Sequence, residues 1–462
     1  MQTPYKKAYL FSFLRYIKPT WYFNLKSDFP LVTWISEEQL ASEEKALINT
    51  EEVYSSDEAR QADIAWQAWQ KGFLKKVSEG EKGLQLGSIR VQDEYRFVAR
   101  YFNRIWLFYI LLVRLVGLKN PIYEISSFIR ALEIKRINPS QQTPDKSDVK
   151  SFDSELLKKN LLVSVVIPTL NRYKYLEDVM KDLEMQTYSN FEVLVCDQSE
   201  PCQESYYEAF NLNIRLFPQQ EKALWLARNR CIKESKGELI LLFDDDSRVD
   251  SDWIEMHIRC LDYFKADISA GISISTVGAK VPSNYNCYRW SDQLDTGNAM
   301  LYKTVFEKTG LFDRQFEKQR MGDGEFGMRC YLSGFVNINN PDACRLHLKV
   351  SSGGLRQMGS WDAFRPKKLL SPRPIPSVLY YANKYFGRFN SILWLLITVP
   401  PSIIPYKWKG SKLLMLMGFV FLPLILPFIL LQVIISWRMA SLMLQEGAKI
   451  ESYIIDVNQV ME

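Results

Sequence analysis

Apolar and polar positions divide this chain into stretches of different period. Residues 161–168, LLVSVVIP, form an apolar, β-branched run suited to a strand buried on both faces. Leu176, Val179, Met180 and Leu183 then recur at i, i+3, i+4 and i+7, the spacing of a helix with one buried stripe. FEVLVCD (191–197), NIRLF (213–217) and ELILLF (238–243) repeat the strand texture. KALWLARNRCIKESKG (222–237) predicts a helix stopped by Gly237. SDWIEMHIRCLDYF (251–264) predicts another, capped by Asp250 or Ser251. Strands alternating with helices imply an open, largely parallel α/β sheet, in which ligands bind beyond the carboxyl ends of the strands. Those ends carry Pro168-Thr169, Asp197 and Asp244–Asp246, so polar chemistry gathers at one edge.

The flanking regions differ. Residues 1–137 predict a mainly helical region. Within it RIWLFYILLVRLVGL (104–118) is too short to span a bilayer comfortably. It fits a buried core helix, or a helix lying on a membrane with Arg100, Arg104 and Arg114 snorkelling. NPSQQTPDKSDVK (138–150) reads as a linker. Between Lys349 and Lys412 Asp362 is the only acid among many Lys and Arg, and residues 413–437 then carry no charge. That run is long enough to cross a bilayer, with Pro423 and Pro427 tolerated or else turning it into a re-entrant hairpin; Lys407, Lys409 and Lys412 would mark the cytoplasmic side, and a dimer interface is the plain alternative. The expected division is 1–150, 151–360 and 361–462, the last membrane-attached.

Composition changes the picture little. The 462 residues are 47% hydrophobic and 24% charged, as in globular proteins, and a net charge of +5 does not mark a nucleic-acid binder. No signal peptide is evident. The seven cysteines form no CxxC pair, which favours reduced thiols in a cytoplasmic compartment over a disulfide framework or zinc site.

The candidate chemistry centres on LILLFDDDSRVD (239–250). Alternate residues at a strand end point the same way, so Asp244 and Asp246 face one ligand. Two carboxylates about 4 Å apart repel by roughly 4 kcal/mol at an effective dielectric near 20, so a positive partner is needed. A divalent cation such as Mg²⁺ with oxygen ligands is the natural one. A solvated turn before a helix is the plain alternative.

VSVVIPTLNR (163–172), FEVLVCDQS (191–199), LARNRCIKESKGELILLFDDDSRVD (226–250), GNAMLYKTVFEKTGLFD (297–313) and GDGEFGMRCYLSGF (322–335) occur in this order. Together they resemble a family 2 glycosyltransferase of the GT-A fold, a Rossmann-like, mostly parallel mixed sheet flanked by helices, over roughly residues 161–348. The resemblance implies a nucleotide-sugar donor lying across the strand ends. Pro168, Thr169, Asn171 and Arg172 match the loop lining the nucleotide pocket, and Asp197 the acid that contacts base or ribose. Arg228 and Asn229 match a pair near the nucleotide. Asp244, Asp245 and Asp246 match the DXD motif, with Asp246 on a Mg²⁺ or Mn²⁺ ion and Asp244 on the ribose or the metal shell. Asp323 matches the base that takes the acceptor proton in an inverting transfer. Many relatives have Glu-Asp there, where this chain has Gly322-Asp323, and Glu325 is the alternative base. His347 matches a second metal contact, and SSGGLR (351–356) a loop over the diphosphate with Arg356 as counter-charge. Trp253, Trp361 and His257 read as packing residues. The implied partners are a nucleotide-sugar, a glycan or lipid-linked acceptor, and the cytoplasmic face of a membrane. Two alternatives remain: a nucleotidyltransferase, for which VIPTLNR lacks a phosphate-cradling Gly-rich loop, and an inactive membrane scaffold, against which the intact acids argue.

Overall fold

The computed structural model describes residues 5–27, 34–74, 84, 87–138, 146, 148–275, 285–350, 354–355, 362–366, 368–404 and 411–453. Arg356, Trp361, Lys407 and Lys409 lie outside the described residues. The chain divides into two compact units. One comprises Met1–Lys146, Cys287–Trp290 and Tyr385–Ile397; the other Ser147–Asn286, Ser291–Lys384 and Thr398–Glu462.

In the first unit, helices Asp57–Lys71, Val91–Tyr101, Ile105–Val116 and Pro121–Ala131 form the frame. Their ends are written in sequence. Ser56 accepts from the Ala59 N–H, and Asn120 caps a helix that opens on Pro121. The core is aromatic: Trp21 and Trp69 pack at 5.1 Å, Trp66 and Phe97 edge-on at 5.2 Å. Arg100 and Arg114 do not snorkel. Arg100 is buried and donates to Asn49, and Arg114 is buried against Glu124. Helix Ile105–Val116 buries only its Leu107, Ile110 and Arg114 side, so it is not a core helix, and Arg104 at its start is exposed.

The second unit is built on one mixed sheet. In chain order its strands are β1 (Val163–Thr169), β2 (Phe191–Asp197), β3 (Ile214–Pro218), β4 (Leu239–Phe243), β5 (Ser247–Val249), β6 (Ile268–Ser275), β7 (Asn298–Tyr302) and β8 (Asn337–His347). Their spatial order is β3-β2-β1-β4-β7-β6-β8-β5. The first four are parallel; β7 enters antiparallel between β4 and β6, and β5 pairs antiparallel with β8. Strands β1 and β4 are buried along their whole length, as their unbroken apolar runs require. Helix Leu224–Glu234 packs on β1 and β2, and helix Trp253–Phe264 on β6, β7 and β8. This α/β architecture agrees with the GT-A expectation.

Two helix boundaries differ from expectation. Helix Leu224–Glu234 stops at Ser235, before Gly237. Gly237 is there for proximity instead: a Cβ on it would lie 2.6 Å from the Leu162 carbonyl oxygen and 2.8 Å from the Ser164 nitrogen. Helix Trp253–Phe264 is preceded by Asp252, whose side chain makes no capping bond. No disulfide joins any of the seven cysteines.

Helix Lys412–Glu446 follows the basic stretch. Its part Leu424–Glu446 is long and apolar enough to cross a membrane by length and composition, and only 22% of its most apolar window is buried in the protein.

Candidate active site

The register of the sheet assembles the acidic corner. Thr169 at the end of β1 pairs with Asp197 at the end of β2. β4 ends at Phe243, and the chain turns through Asp244–Asp246 into β5. Ser247 of β5 pairs with His347 of β8, which brings the imidazole beside Asp246, Nε2 to Oδ1 3.3 Å. One ligand atom each from Asp244, Asp246 and His347 lie within 4.8 Å of one another. Asp245, between them, is not part of that cluster and accepts from the Thr169 hydroxyl at 2.8 Å.

Positive charge surrounds the corner. Arg172 contacts Asp245 at 2.8 Å and Asp246 at 3.2 Å. Arg228 reaches one oxygen of Asp244 at 2.6 Å and Arg345 the other at 2.9 Å; both guanidinium groups are 1% exposed. Arg345 also forks onto Asp295 at 2.8 and 3.0 Å and donates to Ser247 and Ser273. The acids titrate apart. Burial, above the opposing pull of Arg172, pushes the Asp245 carboxyl up to about 6. Burial would also raise Asp246, but the hydrogen bond with His347 and the charge of Arg172 outweigh it and hold that carboxyl below its ordinary value. Two carboxylates and an imidazole form a donor set suited to a divalent cation, so the residues present fit such an ion.

The remaining predicted residues fall into place unevenly. Pro168 and Thr169 are buried at the end of β1. Asn171 is left-handed (φ 53°), and its N–H donates to the Ser199 hydroxyl at 2.7 Å. Asp197 is buried and accepts from Tyr173 at 2.6 Å, from Tyr207 at 2.9 Å and from the Ser199 N–H at 2.9 Å. Burial and that carboxylate push the Tyr173 hydroxyl up to about 12. Asn229 faces away from the acids: its amide exchanges two hydrogen bonds with the backbone of Phe312, at 2.9 and 3.0 Å. Of SSGGLR, Gly354 is described, and its N–H donates to the Leu170 carbonyl at 2.7 Å.

Asp323 stands in the first turn of helix Gly322–Leu332 and accepts from the Gly324 N–H at 3.0 Å. Glu325 is turned inward, fully buried between Arg329 at 3.0 Å and Lys384 at 2.9 Å. Gly322 explains the departure from Glu-Asp. A Cβ there would lie 2.3 Å from a ring carbon of Trp225, whose indole N–H donates to the Phe316 carbonyl at 3.1 Å. Arg228 lies over that ring, 5.4 Å from its centroid. Gly322, Trp225, Arg228 and Asp244 are thereby linked through successive contacts.

His257 and Trp253 are core residues. His257 bonds Ser269 at 2.9 Å and Asn298 at 3.1 Å, and burial lowers it to about 4. The Trp253 indole also donates to Asn298, at 2.9 Å. Sequence reasoning missed Arg345 and Asp295. The signal for Arg345 was an inverted alternation in β8, where Arg345 and His347 are buried and Leu346 between them is 38% exposed.

Residues 164–315 match the family model described as Glycosyl transferase family 2. Among curated relatives, glycosyltransferase GlyA of Streptococcus pneumoniae is 23% identical over 34% of this chain and 22% of its own length. Chondroitin synthase of Escherichia coli is 29% identical over 28% of this chain and 19% of its own length. Glycosyltransferase GlyG of S. pneumoniae is 29% identical over 37% and 54%. The chain therefore spans between about a fifth and about half of these relatives' lengths. Among solved structures, S. aureus TarS 1–349 in complex with UDP-GlcNAc aligns with 15% identity and a TM-score of 0.39, over 62% of this chain and 92% of that one. The matched region, residues 164–315, runs from β1 to β7 and includes Asp244, Asp245 and Asp246, while His347 and Arg345 lie beyond it; over that region the chain is similar to family 2 glycosyltransferases.

Proposed function

We propose that this chain is an inverting, metal-dependent glycosyltransferase. It moves a sugar from a nucleotide-sugar to a hydroxyl of a glycan or lipid-linked acceptor, at the cytoplasmic face of a membrane. The observation that carries this reading is the convergence of Asp244, Asp246 and His347 within 4.8 Å at the carboxyl edge of the sheet. These three would hold Mg²⁺ or Mn²⁺. Such an ion, when bound, supplies Lewis acidity toward the departing nucleoside diphosphate. Pro168, Thr169, Asn171 and Asp197 form the floor for the nucleoside, and Arg172 adds positive charge at the diphosphate end. Arg228 keeps Asp244 oriented. Asn229 acts at one remove, fixing the Phe312 loop. Asp323 takes the proton of the attacking hydroxyl on its carboxylate, while the anomeric carbon passes through an oxocarbenium-like state and its configuration inverts. Residues 151–360 carry the transferase and residues 361–462 the membrane attachment. Two relatives bear on the acceptor: chondroitin synthase, and a poly(ribitol-phosphate) β-N-acetylglucosaminyltransferase 26% identical over 23% of this chain, both named for polyhydroxylated polymers.

The test is thermal unfolding against a panel of UDP-, GDP- and dTDP-sugars, with and without Mn²⁺. A donor at 100 times its Kd should add about 2.7 kcal/mol to stability, and only with the cation present. Asp323→Asn should abolish transfer and leave that stabilisation intact. If no donor stabilises the protein, or if the cation makes no difference, the reading fails.

A further inference from the structure

Helices Ile105–Val116 and Pro121–Ala131 pack against each other as a hairpin, with Phe108 and Phe128 edge to face at 5.0 Å. Charges near its middle are internal. Arg114 donates to Glu124 at 2.7 and 2.5 Å, and the Tyr95 hydroxyl donates to the same carboxylate at 2.9 Å. With those charges folded inward, the outer face is wholly apolar. Ile105, Phe108, Leu112 and Val116 are 57–75% exposed at spacings of three, four and four, one stripe along the first helix. Ile122, Ile125 and Ile129 repeat the stripe on the second, and Leu118 at the turn is 92% exposed. A monomeric surface seldom shows so continuous an apolar patch without a partner.

We infer that this hairpin lies in the surface of a bilayer containing anionic phospholipid, with its stripes among the acyl chains. Charge selects this occupant. Arg104, Lys119, Arg130, Lys135 and Arg136 are exposed around the apolar face, and between residues 103 and 138 Glu133 is the only exposed acid. A rim of cations about an uncharged face matches anionic headgroups over hydrocarbon. Length selects the orientation. Twelve helical residues reach ~18 Å, well short of the ~30 Å hydrocarbon core, so the helices lie in the plane rather than cross it. A chain that also carries an apolar helix of bilayer length already has a reason to be at that surface.

The test uses the full chain reconstituted into bilayers of phosphatidylcholine and phosphatidylglycerol. An environment-sensitive fluorescent amino acid is placed at Leu112 or Ile122, and as a control at Glu58, which is exposed on another helix of the same unit. Because all three side chains point outward, the replacements leave the fold intact. The expected result is blue-shifted emission at Leu112 and Ile122, quenched severalfold by lipids brominated at mid-chain, with Glu58 unquenched. Replacing phosphatidylglycerol by phosphatidylcholine should lower the quenched population, by roughly fivefold for each basic residue engaged. Blue-shifted emission that bromolipids do not quench would mean that protein covers the face, and would overturn the inference. Water-like emission at Leu112 and Ile122 would overturn it as well, as would equal quenching at Glu58.

Discussion

Gly322→Ala is a small change with a large predicted effect. In most helices replacing glycine by alanine stabilises by about 1 kcal/mol, because glycine loses more backbone freedom on folding. Here the new methyl would sit 2.3 and 2.5 Å from two ring carbons of Trp225, over an ångström inside normal contact. The indole cannot swing aside freely, since it is buried and its N–H is held by the Phe316 carbonyl. Overpacking of this kind costs about 1–3 kcal/mol. The steric term outweighs the gain over most of that range, so a net loss of up to about 2 kcal/mol is expected, or up to about 3 °C in Tm for a unit of roughly 300 residues. The same displacement moves the first turn of the helix, which carries Asp323. An ångström of misplacement at a reacting group costs on the order of a hundredfold in rate. Calorimetry would give the first quantity; steady-state transfer assays with donor titration would give the second. The expected pattern is a fall in kcat with donor affinity unchanged, largely relieved when Trp225→Leu opens the space. An alanine variant with wild-type Tm and kcat would refute the packing argument and the placement of Asp323 together.

Arg345→Met should lower the denaturant midpoint by the equivalent of about 3 kcal/mol, because it leaves Asp244 and Asp295 without their shared buried cation. In the same variant Mn²⁺ should bind more tightly, as an oxygen of Asp244 is released; weaker binding, measured by electron paramagnetic resonance, would contradict the clamp. His347→Ala should weaken Mn²⁺ binding at least tenfold, and affinity indifferent to it would remove His347 from the donor set. His257, lowered to about 4 from 6.5, is neutral in the fold while the unfolded chain protonates. It contributes stability that is complete above pH 6.5 and is lost as pH falls toward 4, by about 3 kcal/mol at most. His257→Gln should flatten that part of the stability profile in pH-dependent urea unfolding, and an unchanged slope would count against the assignment.

Legibility followed the physics of each element. Strands β1, β2 and β4 could be read directly, since strands buried on both faces need unbroken apolar runs. β8 could not. Its sequence NINNPDACRLH is polar because Asn340 serves the Met256 carbonyl and the Ser269 hydroxyl inside the protein. Its register also breaks: Asn340 pairs with Gly271, but Cys344 with Ile272, so the intervening residues bulge out and destroy the period of two. The carboxylate side of the site was visible as DDD after a strand. Of the counter-charges, Arg172 and Arg228 entered only through the family resemblance, and Arg345 was not seen at all, because it lies 101 residues from its partner Asp244 and only the fold joins them. Arg114 suffered the same fate on a smaller scale. A lone arginine in an apolar run looks like a residue seeking water until Glu124, ten positions on, is found opposite it.

The far end of the long apolar helix has a practical consequence. Just past it, the Lys449 N–H donates to Asp313, the Leu311 N–H to the Glu451 carbonyl, and the Gln315 amide to the Gly447 carbonyl. The tail is sewn, strand by strand of backbone, into the loop that leads to Asp323. Cutting the chain before Lys412 to obtain a detergent-free protein would strip Leu311 and Gln315 of these acceptors and Asp313 of a donor. Whoever trims the protein for convenience will be studying a chain whose segment before Asp323 has lost its backbone moorings.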